Sequence, residues 1–165
     1  MKPSALFLCD VMLARLARYL RAAGIDTTLA DASATDAQIL REAIDQDRWL
    51  LTTDRKIMDH KAARDRVIQL PFGSLDTQAA ALSARFDIDW LGHAFTRCLL
   101  DNAPLQPATA EHALQVPEDV RQLGEALLVC PECGRVYWRG SHYKRMRGKL
   151  ESWQKNAAAA TNKPL

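Results

Sequence analysis

At 165 residues, 48% hydrophobic and 25% charged, the chain suffices for one domain with a core plus a small appendage, but not for two full domains. No apolar run approaches the roughly 18 residues of a membrane span, and the opening M-K-P-S-A-L-F-L-C-D is a poor export signal, so a cytoplasmic protein with no membrane partner is expected. The net charge of +2 is unevenly placed: residues 1–93 hold 12 Lys+Arg against 13 Asp+Glu, and residues 94–165 hold 10 against 7.

Ala5 to Cys9 is a short apolar run of strand length, and Asp10 follows it at once. From Met12 the apolar residues recur at Leu13, Leu16, Ala17 and Leu20, which predicts a helix, with Gly24 at its C-cap. The strand thus delivers a carboxylate to its own C-terminal end, where ligands collect in open parallel sheets. Asp10 is equally an ordinary helix N-cap. Residues 25–30, I-D-T-T-L-A, read as a second strand, and Thr35 with Gln38 forms a possible capping box, placing Asp36 in the first turn of a second helix. Trp49 to Thr53 is a third strand, again followed by a carboxylate, Asp54, and then Arg55. A short helical segment leads to a fourth strand, Arg66 to Leu70, and Ser74 caps a third helix.

Strands alternating with helices predict a parallel α/β sheet over residues 1–93. Such a sheet carries Asp10, Asp36 and Asp54 to one rim, where crowded carboxylates call for a cation, and oxygen ligation suits magnesium or manganese. These ions polarise phosphoryl oxygens, so phosphodiester hydrolysis is the natural chemistry. Glu42 and Asp59 are further candidate acids. Arg15, Arg18 and Arg21 run along the first helix at i, i+3, i+6 and could form a basic stripe, although a solvated face explains such charges too.

Past Phe86 the pattern changes to connectors and a polar segment near Pro117 to Glu125. Cys130-Pro131-Glu132-Cys133-Gly134 is a thiolate knuckle of the kind that forms half of a zinc ribbon, and its other half is matched in spacing by Cys98-x-x-Asp101, an oxygen ligand in the fourth place. His112 and His142 are reserve ligands, and Cys9 is a core residue. From Arg135 to Lys149 there are six Lys+Arg and no acid, interleaved with Tyr137, Trp138, His142 and Tyr143, a composition suited to a nucleic-acid strand. Arg135, Tyr137, Trp138, Arg139, His142, Lys144 and Arg145, with Arg15, Arg18 and Arg55 on the first part, are the candidate contacts. Residues 94–152 form the ribbon-like module, and residues 153–165 read as a disordered tail.

The motifs F-L-C-D with L-A-R-Y-L-R-A-A-G, T-D-A-Q-I-L, L-L-T-T-D-R, R-C-x-x-x-N at Arg97 to Asn102, and C-P-E-C-G-R-V-Y-W-R-G-S-H-Y-K-R-M together resemble the Mut seven C-terminal RNase family, a PIN-like nuclease fold followed by a zinc ribbon. The resemblance covers about Ala5 to Leu150 and implies a metal-dependent ribonuclease with Asp10, Asp36 and Asp54 as its acidic residues; the leading expectation is an endonuclease directed at single-stranded RNA. Asp101 stands where the family pattern has Cys. The sequence leaves two other classes open. One is a non-catalytic RNA-binding or adaptor module; the other is a phospho-receiver, which Val11 after Asp10 and the L-P-F-G-S end of the fourth strand argue against. A Rossmann dinucleotide fold is excluded, because no Gly-rich loop follows the first strand. The oligomeric state has no signature.

Overall fold

The computed structural model describes residues 5–161. Four parallel strands, β1 (Phe7–Cys9), β2 (Thr27–Leu29), β3 (Trp49–Thr52) and β4 (Val67–Gln69), lie in the order β2-β1-β3-β4. Phe7 pairs with both Thr27 and Trp49, and Leu50 with Val67, so β1 and β3 form the centre. Strands this short are held by what covers them. Alternate side chains face opposite ways: Phe7, Cys9, Leu51 and Ile68 pack with helices α1 (Ala14–Ala22) and α3 (Leu75–Ser83). Leu8, Leu50 and Val67 pack with α2 (Asp36–Asp45) and with Ile57 and Ala63 from the β3–β4 connection.

The chain steps one way from β1 to β2 and the other way from β2 to β3 to β4. Right-handed crossovers therefore put α1 on one face, and α2 and the β3–β4 connection on the other. This reversal makes a crevice between the C-terminal ends of β1 and β3. At the opposite rim Gly24, φ +83, ends α1; a Cβ there would meet the His93 carbonyl oxygen at 2.1 Å. Only glycine fits that approach.

The second part contains a three-stranded antiparallel sheet, β5 (Gln106–Pro107), β6 (Leu128–Val129) and β7 (Val136–Tyr137), with short helices α4 (Ala110–Ala113) and α5 (Glu118–Gln122) between β5 and β6. Its core is small: the buried residues are Val116, Val129 and Val136.

One expectation is corrected. Instead of a disordered tail beginning at residue 153, Ser141–Thr161 is one long helix, α6. Residues 162–165 lie outside the described part. Met146, Leu150 and Trp153, spaced i, i+4, i+7, are buried in the same core as α1 and α3. Trp153 packs edge-on against Trp90 at 4.9 Å, and its Nε1 donates to Asp76 of α3 at 2.7 Å. An Ala-rich end looks uncommitted in sequence, but these three apolar anchors supply the burial that fixes it.

Candidate active site and metal centre

Asp10 sits just beyond β1, its own N–H donating to the Leu51 carbonyl of β3 at 2.9 Å. The residue is 8% exposed. One carboxylate oxygen accepts from the Val11 N–H at 2.7 Å, capping the 3-10 turn Val11–Leu13, and the other accepts from the Thr52 hydroxyl at 2.8 Å. Thr52 Oγ1 also accepts the Asp54 N–H at 3.0 Å, so one buried hydroxyl ties the loops after β1 and β3 together. Asp54 in turn accepts from the Lys56 N–H at 2.8 Å. Asp10 is therefore a cap that also faces the crevice, and Thr52, which sequence reasoning passed over, joins the Asp10 carboxylate to the Asp54 backbone. Its signal was its place at the end of W-L-L-T, where an inward-facing threonine has no apolar reason to be.

Asp36 is the first residue of α2, behind the Thr35–Gln38 capping box. It comes from the loop after β2, the strand on the other side of β1. The oxygens of Asp10, Asp36 and Asp54 do not all lie within 4.8 Å of one another, in contrast to the cysteine cluster described below. None of the three belongs to an ion pair among the described residues. Glu42 accepts from Gln46 one turn along α2, and Asp59 is exposed at the end of the turn Lys56–Asp59. Arg15, Arg18 and Arg55 are exposed. Arg21 does not join the basic stripe: it is 5% exposed and donates to the carbonyls of Thr27, Leu99 and Leu100. Its position on the inward face of α1, between Leu20 and Ala22, turns it from solvent to backbone oxygens.

Cys98, Asp101, Cys130 and Cys133 bring one ligand atom each within 4.8 Å of the others, the sole such group found among the described residues. The Cys98 and Cys133 sulfurs are 3.8 Å apart. That is about the ~3.8 Å edge of a tetrahedron with ~2.3 Å metal–sulfur bonds. The two half-sites have the same backbone. In one, Gly134 N–H bonds the Cys130 carbonyl (2.9 Å), Cys130 N–H bonds the Arg135 carbonyl (2.9 Å), and Gly134 has φ +71. In the other, Asn102 N–H bonds the Cys98 carbonyl (3.1 Å), Cys98 N–H bonds the Ala103 carbonyl (2.8 Å), and Asn102 has φ +72. Asp101 thus occupies the turn position that Cys133 fills opposite. Burial raises the Asp101 carboxyl, but the Ala103 N–H and the thiols of Cys133, Cys130 and Cys98 outweigh it and bring it down to about 2. Burial pushes the Cys130 thiol up to about 12, so without a cation this pocket favours a protonated thiol beside the carboxylate. A metal ion would replace those protons. The set fits a metal, and His112 and His142 are not part of it.

The first half-site is bolted to the sheet. Asn102 donates to Asp26 at 2.8 Å and accepts the Thr27 N–H at 2.9 Å, while Arg48 and Arg97 flank Asp26 at 2.7 and 3.5 Å. Thr27 begins β2 and Arg48 immediately precedes β3, so the cysteine cluster is tied to the strand starts, the rim opposite Asp10 and Asp54. Of the predicted nucleic-acid contacts, Arg135, Tyr137, Trp138, Arg139 and His142 line one cleft of about 580 Å³. Lys144 and Arg145 are exposed on α6.

The site thus combines a carboxylate at the switch point of a four-stranded parallel α/β sheet with a Cys/Asp cluster that could hold a metal ion. Residues 5–150 match the family model described as Mut7-C RNAse domain, and the chain belongs to that family. No curated protein and no solved structure matches the chain.

Proposed function

We propose that the protein is a metal-dependent endoribonuclease that cleaves single-stranded RNA at the rim formed by Asp10, Asp54 and Asp36. The observation that carries this reading, beside the family, is the Asp10–Thr52–Asp54 link at the crevice between β1 and β3. Asp10 is nearly buried with one hydrogen bond to each oxygen and no cation paired to it among the described residues, which leaves room for a bound ion to add to its compensation. Magnesium needs only one or two protein carboxylates and keeps its remaining positions for water and phosphate, so three oxygens packed within 4.8 Å are not required. Asp10 and Asp54 would hold the ion, with Asp36 at the side; the ion would supply polarisation of the phosphoryl oxygens. Thr52 fixes the Asp10 carboxylate, and Arg55, exposed beside Asp54, would meet the phosphate backbone.

Zinc is the ion we assign to Cys98, Asp101, Cys130 and Cys133, where it would brace the basic, aromatic surface that contacts RNA. The separation of the three aspartates favours one second reading, an RNA-binding module without turnover. Incubating the protein with single-stranded RNA separates the two. The nuclease reading expects cleavage with millimolar manganese or magnesium that EDTA stops; RNA binding without cleavage at any divalent ion supports the second reading.

A further inference from the structure

The cleft against the ribbon has features that a general basic surface lacks. Among the residues lining its roughly 580 Å³ are Arg97, Arg135, Arg139 and His142, and none is acidic. The volume falls within the range of ordinary small-molecule sites. Its aromatic wall is built rather than incidental. Phe95 is held at φ +61, which a bulky side chain rarely adopts, by its N–H bonding the Ala22 carbonyl. The Phe95 ring packs against Tyr143, tilted by 43° with 4.2 Å between centroids, and the Arg139 guanidinium sits 5.9 Å over the same Tyr143 ring. Trp138 is 36% exposed at the cleft, close against the Gly140 backbone, where a Cβ would come within 2.8 Å of its indole nitrogen. Tyr137 contributes the floor, its hydroxyl 3.1 Å from Cys98 Sγ and accepting the Leu99 N–H, so the metal module holds the wall in place.

We infer that this cleft is a nucleotide pocket: it takes one base against Trp138 and Tyr143 and the attached phosphate on Arg139 and Arg135. Aromatic rings with guanidinium groups beside them suit a planar base carrying an anion. The pocket is separate from the cleavage rim. Phe95 and Arg97 bond Ala22 and Gly24 at the far end of α1, whereas Asp10 stands at its beginning. The nine residues of α1 span about 13 Å. The assignment to an RNA strand rests on the ribonuclease proposal; the nucleotide chemistry does not.

The test is tryptophan fluorescence of the full zinc-loaded chain, without magnesium or manganese, titrated with AMP, with inorganic phosphate, and with an eight-nucleotide single-stranded RNA. AMP is expected to quench saturably, phosphate at equal concentration is not, and Trp138→Phe removes the quenching while binding persists by calorimetry. Arg139→Ala and Trp138→Ala, both at exposed positions, each raise the AMP Kd about tenfold, the scale of one lost stacking or charge contact. Competition by the RNA places a strand nucleotide in the pocket, and AMP binding without competition by RNA places a free nucleotide there; both uphold the pocket. Equal competition by inorganic phosphate, or unchanged AMP affinity in both variants, overturns it. Because no cleavage is read, loss of turnover in an RNA assay bears on the rim and leaves this result intact.

Discussion

Asp10→Asn lowers RNA cleavage on the order of a thousandfold, since it removes the charge that holds an ion whose phosphoryl polarisation is worth several kcal/mol at about 1.4 kcal/mol per factor of ten. The fold survives. Asn is as good a cap as Asp and still accepts the Val11 N–H. The loss is the Thr52 hydroxyl bond, about 1 kcal/mol. Asp54→Asn has a smaller effect because Asp54 is half-buried, and Asp36→Asn a smaller one again because Asp36 reaches the rim from a helix start rather than a strand end. Asp59→Asn, at an exposed position with no link to the rim, leaves turnover unchanged. Single-turnover cleavage rates of the four variants check the ranking, with circular dichroism confirming the fold; an unaltered rate in both Asp10→Asn and Asp54→Asn removes the rim from the mechanism.

Cys130→Ser unfolds the ribbon while sparing the sheet domain. The reasoning is one of magnitudes. Val116, Val129 and Val136 form the buried core of a module whose strands are two residues long. Three valines bring roughly 1.5–3 kcal/mol each. Ordering the backbone costs about 1–2 kcal/mol for every residue, so such a core does not hold a module of several tens of residues unaided. A structural zinc would contribute on the order of 10 kcal/mol of apparent binding energy, more than the three valines together. Zinc analysis of the purified protein should give one ion per chain, falling to near zero in Cys130→Ser, with proteolysis entering between residues 104 and 135. Asp101→Cys works the opposite way. The turn already has the conformation that carries Cys133, so a fourth thiolate enters without rearrangement and tightens zinc at least about tenfold. Retained metal and unchanged proteolysis in Cys130→Ser would show the tetrad to be unfilled.

Much of this was legible because the chain states its plan locally. Apolar runs that stop at Asp10 and Asp54 mark both the strand and its functional end, the Thr35–Gln38 box marks a helix start, and two four-residue spacings mark the half-sites. What stayed hidden depends on partners distant in sequence. Arg21 looks like the third tooth of a basic stripe until Leu99 and Leu100, some eighty residues on, offer it their carbonyls. Asn102 looks like a turn residue until Asp26 and Thr27 engage its amide. Phe95 carries no sequence signal for a positive φ, because that conformation is imposed by α1 and Tyr143. Likewise, a sheet places Asp10, Asp36 and Asp54 on one rim by topology, but how far apart their oxygens stand depends on loop conformation after β2, which no local pattern encodes.

Manganese titration of the zinc-loaded protein, followed by electron paramagnetic resonance, tests the carboxylate rim most directly. At least one Mn²⁺ should bind per chain, lost in Asp10→Asn and Asp54→Asn and retained in Asp59→Asn. Equal Mn²⁺ uptake by wild type and Asp10→Asn would contradict the assignment of that rim as the seat of the catalytic ion.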